Sequence, residues 1–214
     1  MNQAIPVSFP ILCLLVFAGY LLGSIPFGYL LVRARSGRDV RAIGSGNIGA
    51  TNVARAAGWS TGVATLILDL AKGVFAVWLA GHFSDGNIRI MMFAGLAAIL
   101  GHVFPVWLKF SGGKGVATAL GVFLMISWTA VAAAVAVFAI VVLFWRYVSL
   151  ASVSAAAALP LLVYLLYAPG HAPPTAVTAG TLLASVLIIV KHRKNIERLI
   201  AGNEPRIEMG RKES

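Results

Sequence analysis

Three long stretches of this chain, residues 1–32, 115–145 and 147–190, contain no charged side chain. An apolar run of about 18 residues or more reads as a membrane span. Within lipid only helices and closed barrels satisfy every backbone N–H and C=O. The runs show no alternation of period two, so a barrel is excluded and an all-α membrane protein is expected. Its 214 residues would otherwise suit one soluble domain.

The first run enters near Ile5 and leaves near Val32, with Pro26 set to kink it and Gly28 to admit a close neighbour. Further spans are expected from Trp59 to Ala80 and from Ile90 to Leu108. Residues 115–145 would make one helix of about 46 Å, too long for a hydrocarbon core of about 30 Å. Two short crossings with a turn near Ser127-Trp128-Thr129 are the alternative, and charge decides between them. With two, there are seven transmembrane helices, and residues 33–58, 109–114, Arg146 and 191–214 share one side with 15 of the 17 Lys and Arg. With one, the tail and its seven basic residues would be exported, against the positive-inside rule. Seven spans are therefore expected, the amino terminus outside and the carboxyl terminus cytoplasmic. Residues 168–174 carry the turn between the last two.

The net charge of +10 does not mark a nucleic-acid binder. The basic residues flank spans, as topology and anionic lipid require, and form no single face. The lone Cys13 gives no disulfide, and four histidines without metal-ligand spacing imply no metal.

Two cytoplasmic segments have the chemistry of an anion cradle. In residues 33–58, five glycines with Ser45, Asn47, Thr51 and Asn52 lie among Arg33, Arg35, Arg38, Arg41 and Arg55. Amides of a glycine-rich turn, such as that at Gly46, form an anion nest, and a following helix start adds its dipole. Arg55 can clamp a phosphate through two hydrogen bonds. In the second segment, Ser111, Gly112, Gly113, Lys114 and Gly115 lead into a helix carrying Thr118. Glycine admits close approach and Lys114 supplies a point charge, but the spacing is not that of a nucleotide P-loop.

His102 lies near the cytoplasmic end of the third span, within reach of that loop. His192 and Asn195 share a helix face at the start of the tail. Asp69 and Lys72, mid-span and one turn apart, are equally a locking pair or functional groups.

These motifs, residues 44–55, 101–118 and 192–204 together with 23–28 and 69–73, resemble the acyl-phosphate-dependent glycerol-3-phosphate acyltransferases of bacteria. The resemblance runs to about Pro205. It implies one polytopic acyltransferase domain over residues 1–205, a basic tail over 206–214, and a multi-pass inner-membrane location with a cytoplasmic active site. It implies transfer of a fatty acyl group from acyl phosphate to the 1-hydroxyl of glycerol 3-phosphate, with no cofactor. Its partners are those two substrates and membrane lipid. Carried over by position, the catalytic candidates are Ser45, Arg55, His102, Lys114, His192 and Asn195. Gly46, Asn47, Thr51, Asn52, Ser111, Gly112, Gly113, Gly115 and Thr118 are substrate-binding candidates.

Both substrates are phosphorylated, and two basic glycine loops suit two anion subsites. Acyl phosphate is a reactive mixed anhydride, so positioning and charge neutralisation do most of the work. The hydroxyl proton can pass to His102, to His192 or to a phosphate oxygen. Direct attack is expected, with Ser45 as a phosphate ligand. An acyl-CoA enzyme with a His-x-x-x-x-Asp motif fits poorly, because the fifth residue after His102 is Trp107. A solute transporter would need mid-membrane polar groups in several helices, and only Asp69 and Lys72 qualify.

Overall fold

A computed structural model of the chain describes residues 9–168 and 170–207. Ten α-helices and no β-strands occur among the described residues, with two short 3-10 turns. The expected entry at Ile5, Pro169 of the last turn, and tail residues 208–214 lie outside them. The chain packs as two compact units, Met1–Ile126 and Ser127–Ser214.

In the first unit, α1 (Phe9–Ser24) and α2 (Phe27–Ser36) form one apolar stretch broken at Ile25 and Pro26. Proline supplies no N–H to continue the ladder, as expected for that position. Gly37, at φ 68°, ends α2 by donating its N–H to Arg33 O. A 3-10 turn over Val40–Ala42 and the short α3 (Ala50–Ala57) follow, and then α4 (Trp59–Phe83). At 25 residues α4 is about 38 Å long, enough to cross with tilt. Helix α5 (Ile88–Val103) is capped by Asn87, whose Oδ1 accepts the Arg89 N–H at 3.1 Å. Helix α6 (Val116–Ile126) closes the unit.

Lipid tails are as apolar as leucine, so helices in a membrane gain by close packing at small residues. Helices α1 and α5 meet in that way: Gly23 lies against the Ala98 carbonyl and Gly101 against that of Tyr20, with no room for a Cβ. Gly73 and Gly121 do the same between α4 and α6. Gly28 is held against the Ile48 carbonyl, the close neighbour its sequence position predicts.

The second unit is an antiparallel series of helices, α7 (Trp128–Trp145), α8 (Val148–Leu166) and α9 (Thr175–Lys191), with α8 packed on both others. Arg146, in the left-handed region at φ 61°, turns α7 into α8. Helix α9 bends by 54° into α10 (Arg193–Ile200). Beyond Pro205, Arg206 donates to the Tyr147 hydroxyl at 3.0 Å and the Ile207 N–H to Arg146 O at 2.8 Å. The start of the expected tail is thus folded back on the α7–α8 corner.

The protein is therefore an all-α, multi-pass membrane protein. Among the described residues, five stretches are long and apolar enough to cross, and α9 with α10 makes a sixth if the bent pair counts as one span. The expected break inside residues 115–145 falls at Ser127, between α6 and α7. Its first half is the 11-residue α6, only about 16 Å long against a hydrocarbon core of about 30 Å.

Candidate functional site

The loop before α3 is built around one side chain. Asn52 is 2% exposed and has every hydrogen-bonding group engaged. Its Oδ1 accepts the Ser45 N–H at 2.9 Å, and its Nδ2 donates to Ile43 O and Asn47 O at 2.9 Å and to Val40 O at 3.3 Å. Asn47 Oδ1 in turn accepts the Gly49 N–H at 2.8 Å. Ser45, Thr51 and Arg55 are left on the exposed surface of this frame. Gly44 and Gly46 take the left-handed conformation the turn requires. No side chain caps α3 at Gly49, so the positive end of its dipole faces the loop. Asn52 is thus a scaffold for the cradle, with Ser45, Thr51 and Arg55 as its outward groups.

Beside the loop, Arg41 is engaged by Asp39 at 2.7 Å and lies 5.2 Å from the Tyr29 ring centroid. Hydrogen bonding from Arg41 holds the Asp39 carboxyl below its ordinary value.

The second glycine segment is built from backbone. After α5 the chain runs through a turn in which Lys109 and Phe110 both have positive φ, 52° and 59°. It then returns onto the end of α5. Gly112 N–H donates to Val103 O at 3.2 Å and Gly113 N–H to His102 O at 3.0 Å. A Cβ on Gly113 would run into the imidazole of His102, and one on Gly112 into the His102 carbonyl and Pro105. His102 therefore adjoins the loop, as its span position predicts. Ser111 is exposed and Lys114 half-buried, while Gly113 and Gly115 are buried. Thr118 is fully buried, with its backbone carbonyl against Gly73 of α4.

Leu108, which precedes the second glycine segment, packs with Val32, Val40, Ile48 and Val53 around the first loop. That cluster sets the approach to the second glycine segment beside the first.

Beneath His102 lies a contact that sequence spacing does not reveal. Asp69 Oδ1 is 2.9 Å from Lys72 Nζ and 3.6 Å from His102 Nδ1, with all three side chains 3% exposed. Asp69 and His102 stand 33 positions apart on different helices, and only the packing of α4 on α5 joins them.

In the second unit, His192 and Asn195 are both buried while Arg193 and Lys194 between them are exposed, so the expected shared face exists. His192 Nδ1 donates to Ile188 O at 2.8 Å, because a carbonyl can only accept. Asn195 Nδ2 donates to Glu204 Oε1 and Arg198 Nε to Glu204 Oε2, both at 2.7 Å. Burial would raise the Glu204 carboxyl. The polar groups of Ser149, Asn195 and Arg198 around it outweigh that and hold it below its ordinary 4.5. Glu204 is absent from the sequence-derived candidates. The signal for it is Gly202, at φ 72°, whose turn after α10 sends the next residues back along the helix.

A family model described as glycerol-3-phosphate acyltransferase matches residues 13–202. The glycerol-3-phosphate acyltransferase of Mesorhizobium japonicum is 46% identical, over 94% of this chain and 98% of its own length. That of Geotalea daltonii is 51% identical, over 89% and 94%. The fold is similar to the crystal structure of PlsY (YgiH), an integral membrane glycerol 3-phosphate acyltransferase, in its glycerol 3-phosphate form. The TM-score is 0.85 at 40% identity, covering 92% of this chain and 96% of that one. The lysophosphatidic acid form of the same protein matches with a TM-score of 0.81 at 39% identity.

Proposed function

The chain belongs to the glycerol-3-phosphate acyltransferase family, and from that premise we propose that its acyl donor is acyl phosphate. In the reaction the 1-hydroxyl oxygen of glycerol 3-phosphate attacks the acyl carbonyl carbon. The bond from that carbon to the phosphate oxygen breaks, and lysophosphatidic acid and inorganic phosphate leave. The observation that carries this reading is the packing of Leu108, which leads into the second basic glycine loop, against Ile48 and Val53 at the first. Two anionic reactants need two adjacent anion subsites, and each loop offers backbone amides with an Arg or a Lys.

In this reading Ser45 and Arg55 bind one phosphate and Lys114 the other, with Thr51, Ser111 and the glycine amides as ligands around them. His102 takes the hydroxyl proton, since its ring lies against Gly113 of the turn. Within the second unit, His192 and Asn195 are oriented by Ile188 O and Glu204. No acyl-enzyme forms, because none of the described contacts of Ser45 is with a base. The topology we propose is seven spans with α6 as the short fourth, the amino terminus outside, and the loops on the cytoplasmic face of the inner membrane.

The test is an assay of purified protein in detergent with acyl phosphate and radiolabelled glycerol 3-phosphate. Wild type is expected to yield labelled lysophosphatidic acid, and Arg55→Ala and Lys114→Ala to lose about 100-fold or more in kcat/KM. No lipid product from the wild type rejects the donor, and full activity in both variants rejects the site.

A further inference from the structure

We infer that Asp69 is a positioning residue for His102: from α4 it holds the imidazole in the tautomer whose Nε2 lone pair faces the Gly112–Gly113 turn. This rests on the proposed function only in taking His102 as part of the site.

A buried charge in a membrane protein is costly unless paired and hydrogen-bonded. Lys72 meets that requirement without help from the histidine. Its Nζ is 2.9 Å from Asp69 Oδ1, donates to Ile25 O at 2.9 Å where α1 breaks into α2, and lies 5.8 Å from the Phe27 ring centroid. If Asp69 and Lys72 were only a locking pair, nothing would require an imidazole against the same carboxylate oxygen. Yet His102 Nδ1 is 3.6 Å from that oxygen, inside a site from which solvent is almost wholly excluded.

The tautomer follows from donor inventory. An ionised carboxylate can only accept, so the ring nitrogen that faces it carries the proton. A neutral imidazole has one N–H, which leaves Nε2 with its lone pair. Nε2 is the ring atom nearest the position a Gly113 Cβ would take. The turn is itself fastened to the backbone of the same residue, through Gly113 N–H to His102 O at 3.0 Å. Ring and turn are therefore positioned together. A separation of 3.6 Å is long for a hydrogen bond, and catalytic contacts of this kind commonly tighten when substrate binds.

Two measurements test this. In wild-type protein labelled with [15N]histidine in detergent micelles, long-range 1H–15N correlations read the tautomer of each neutral ring, and loss of a signal in His102→Gln assigns it. The Nδ1–H tautomer is expected for His102; the Nε2–H tautomer overturns the inference. The second is a kinetic cycle with Lys72→Met in every arm, so that no buried ammonium is left unpaired. Asp69→Asn in that background is expected to lower kcat about 10- to 100-fold, with KM for glycerol 3-phosphate changed less than about threefold. With His102→Ala also present, Asp69→Asn is expected to cost nothing further. An equal loss in both backgrounds means that Asp69 acts on the fold alone, and overturns the inference. Full activity of His102→Ala alone would instead remove His102 from the proposed site, leaving the spectroscopic result to decide the Asp69 contact separately.

Discussion

The two glycine loops of the first unit are alike in composition and opposite in construction. The loop over residues 44–52 is suspended from a buried side chain, Asn52, which links four backbone groups. The turn over residues 111–115 is held through backbone hydrogen bonds. Its own backbone closes on the end of α5, and glycine there is an absence that the His102 ring fills. A glycine-rich sequence can thus mean a loop that a neighbour organises, or a loop that must leave room for a neighbour. The first kind is sensitive to chemistry at one position and the second to volume.

The largest effect is expected from Gly113→Ala. The added methyl meets a buried imidazole, not the end of a flexible side chain. Displacement of a reacting group by about 1 Å can cost 100-fold. Acyl transfer is expected to fall by at least that factor, with a lower melting temperature in detergent. Activity within about threefold of wild type would show that the turn has slack.

Asn52→Asp probes the loop over residues 44–52. It keeps volume and the acceptor for Ser45 N–H but replaces the donor with an oxygen facing the carbonyls of Ile43 and Asn47. The expected loss is about 10-fold or more in kcat/KM, from about 2 kcal/mol of unmet hydrogen bonding. Gly113 responds to size, so Asn52→Asp should match or exceed Asn52→Ala; the reverse order would reject the scaffold role.

A third mode of construction, by charge, gives the smallest effect. The Glu204 carboxyl is held below 4.5 in the folded protein, so its contribution is complete above that value and is lost as pH falls through the folded value. Glu204→Gln should lower the melting temperature at pH 7, by about 1 kcal/mol in stability, and narrow its gap to wild type as pH drops below 4.5. A constant gap across that range would mean that charge plays no part in holding Asn195.

Much of this was legible in the residues. The apolar runs, the proline break at Pro26, the close approach at Gly28 and the turn at Ser127 all follow from local rules about charge, proline and glycine. So does the shared face of His192 and Asn195. Three things were not. The Asp69–His102 contact depends on how two separate helices are rotated against each other. The burial of Thr118 depends on Gly73 opening a slot in α4. Glu204 reaches Asn195 only because the chain reverses after α10. In each case the deciding partner is remote in sequence, and composition carries no record of the pairing.

Helix α6 is short and is packed within the first unit. Ala119, Val122 and Phe123 are buried, and α4 and α5 flank the helix. Its neighbours, rather than surrounding lipid, thus set the level at which it begins. The glycine turn at its head is then fixed to a protein datum, and in the proposed reaction that datum would keep acceptor and acyl donor in register even as the thickness of the surrounding bilayer varies.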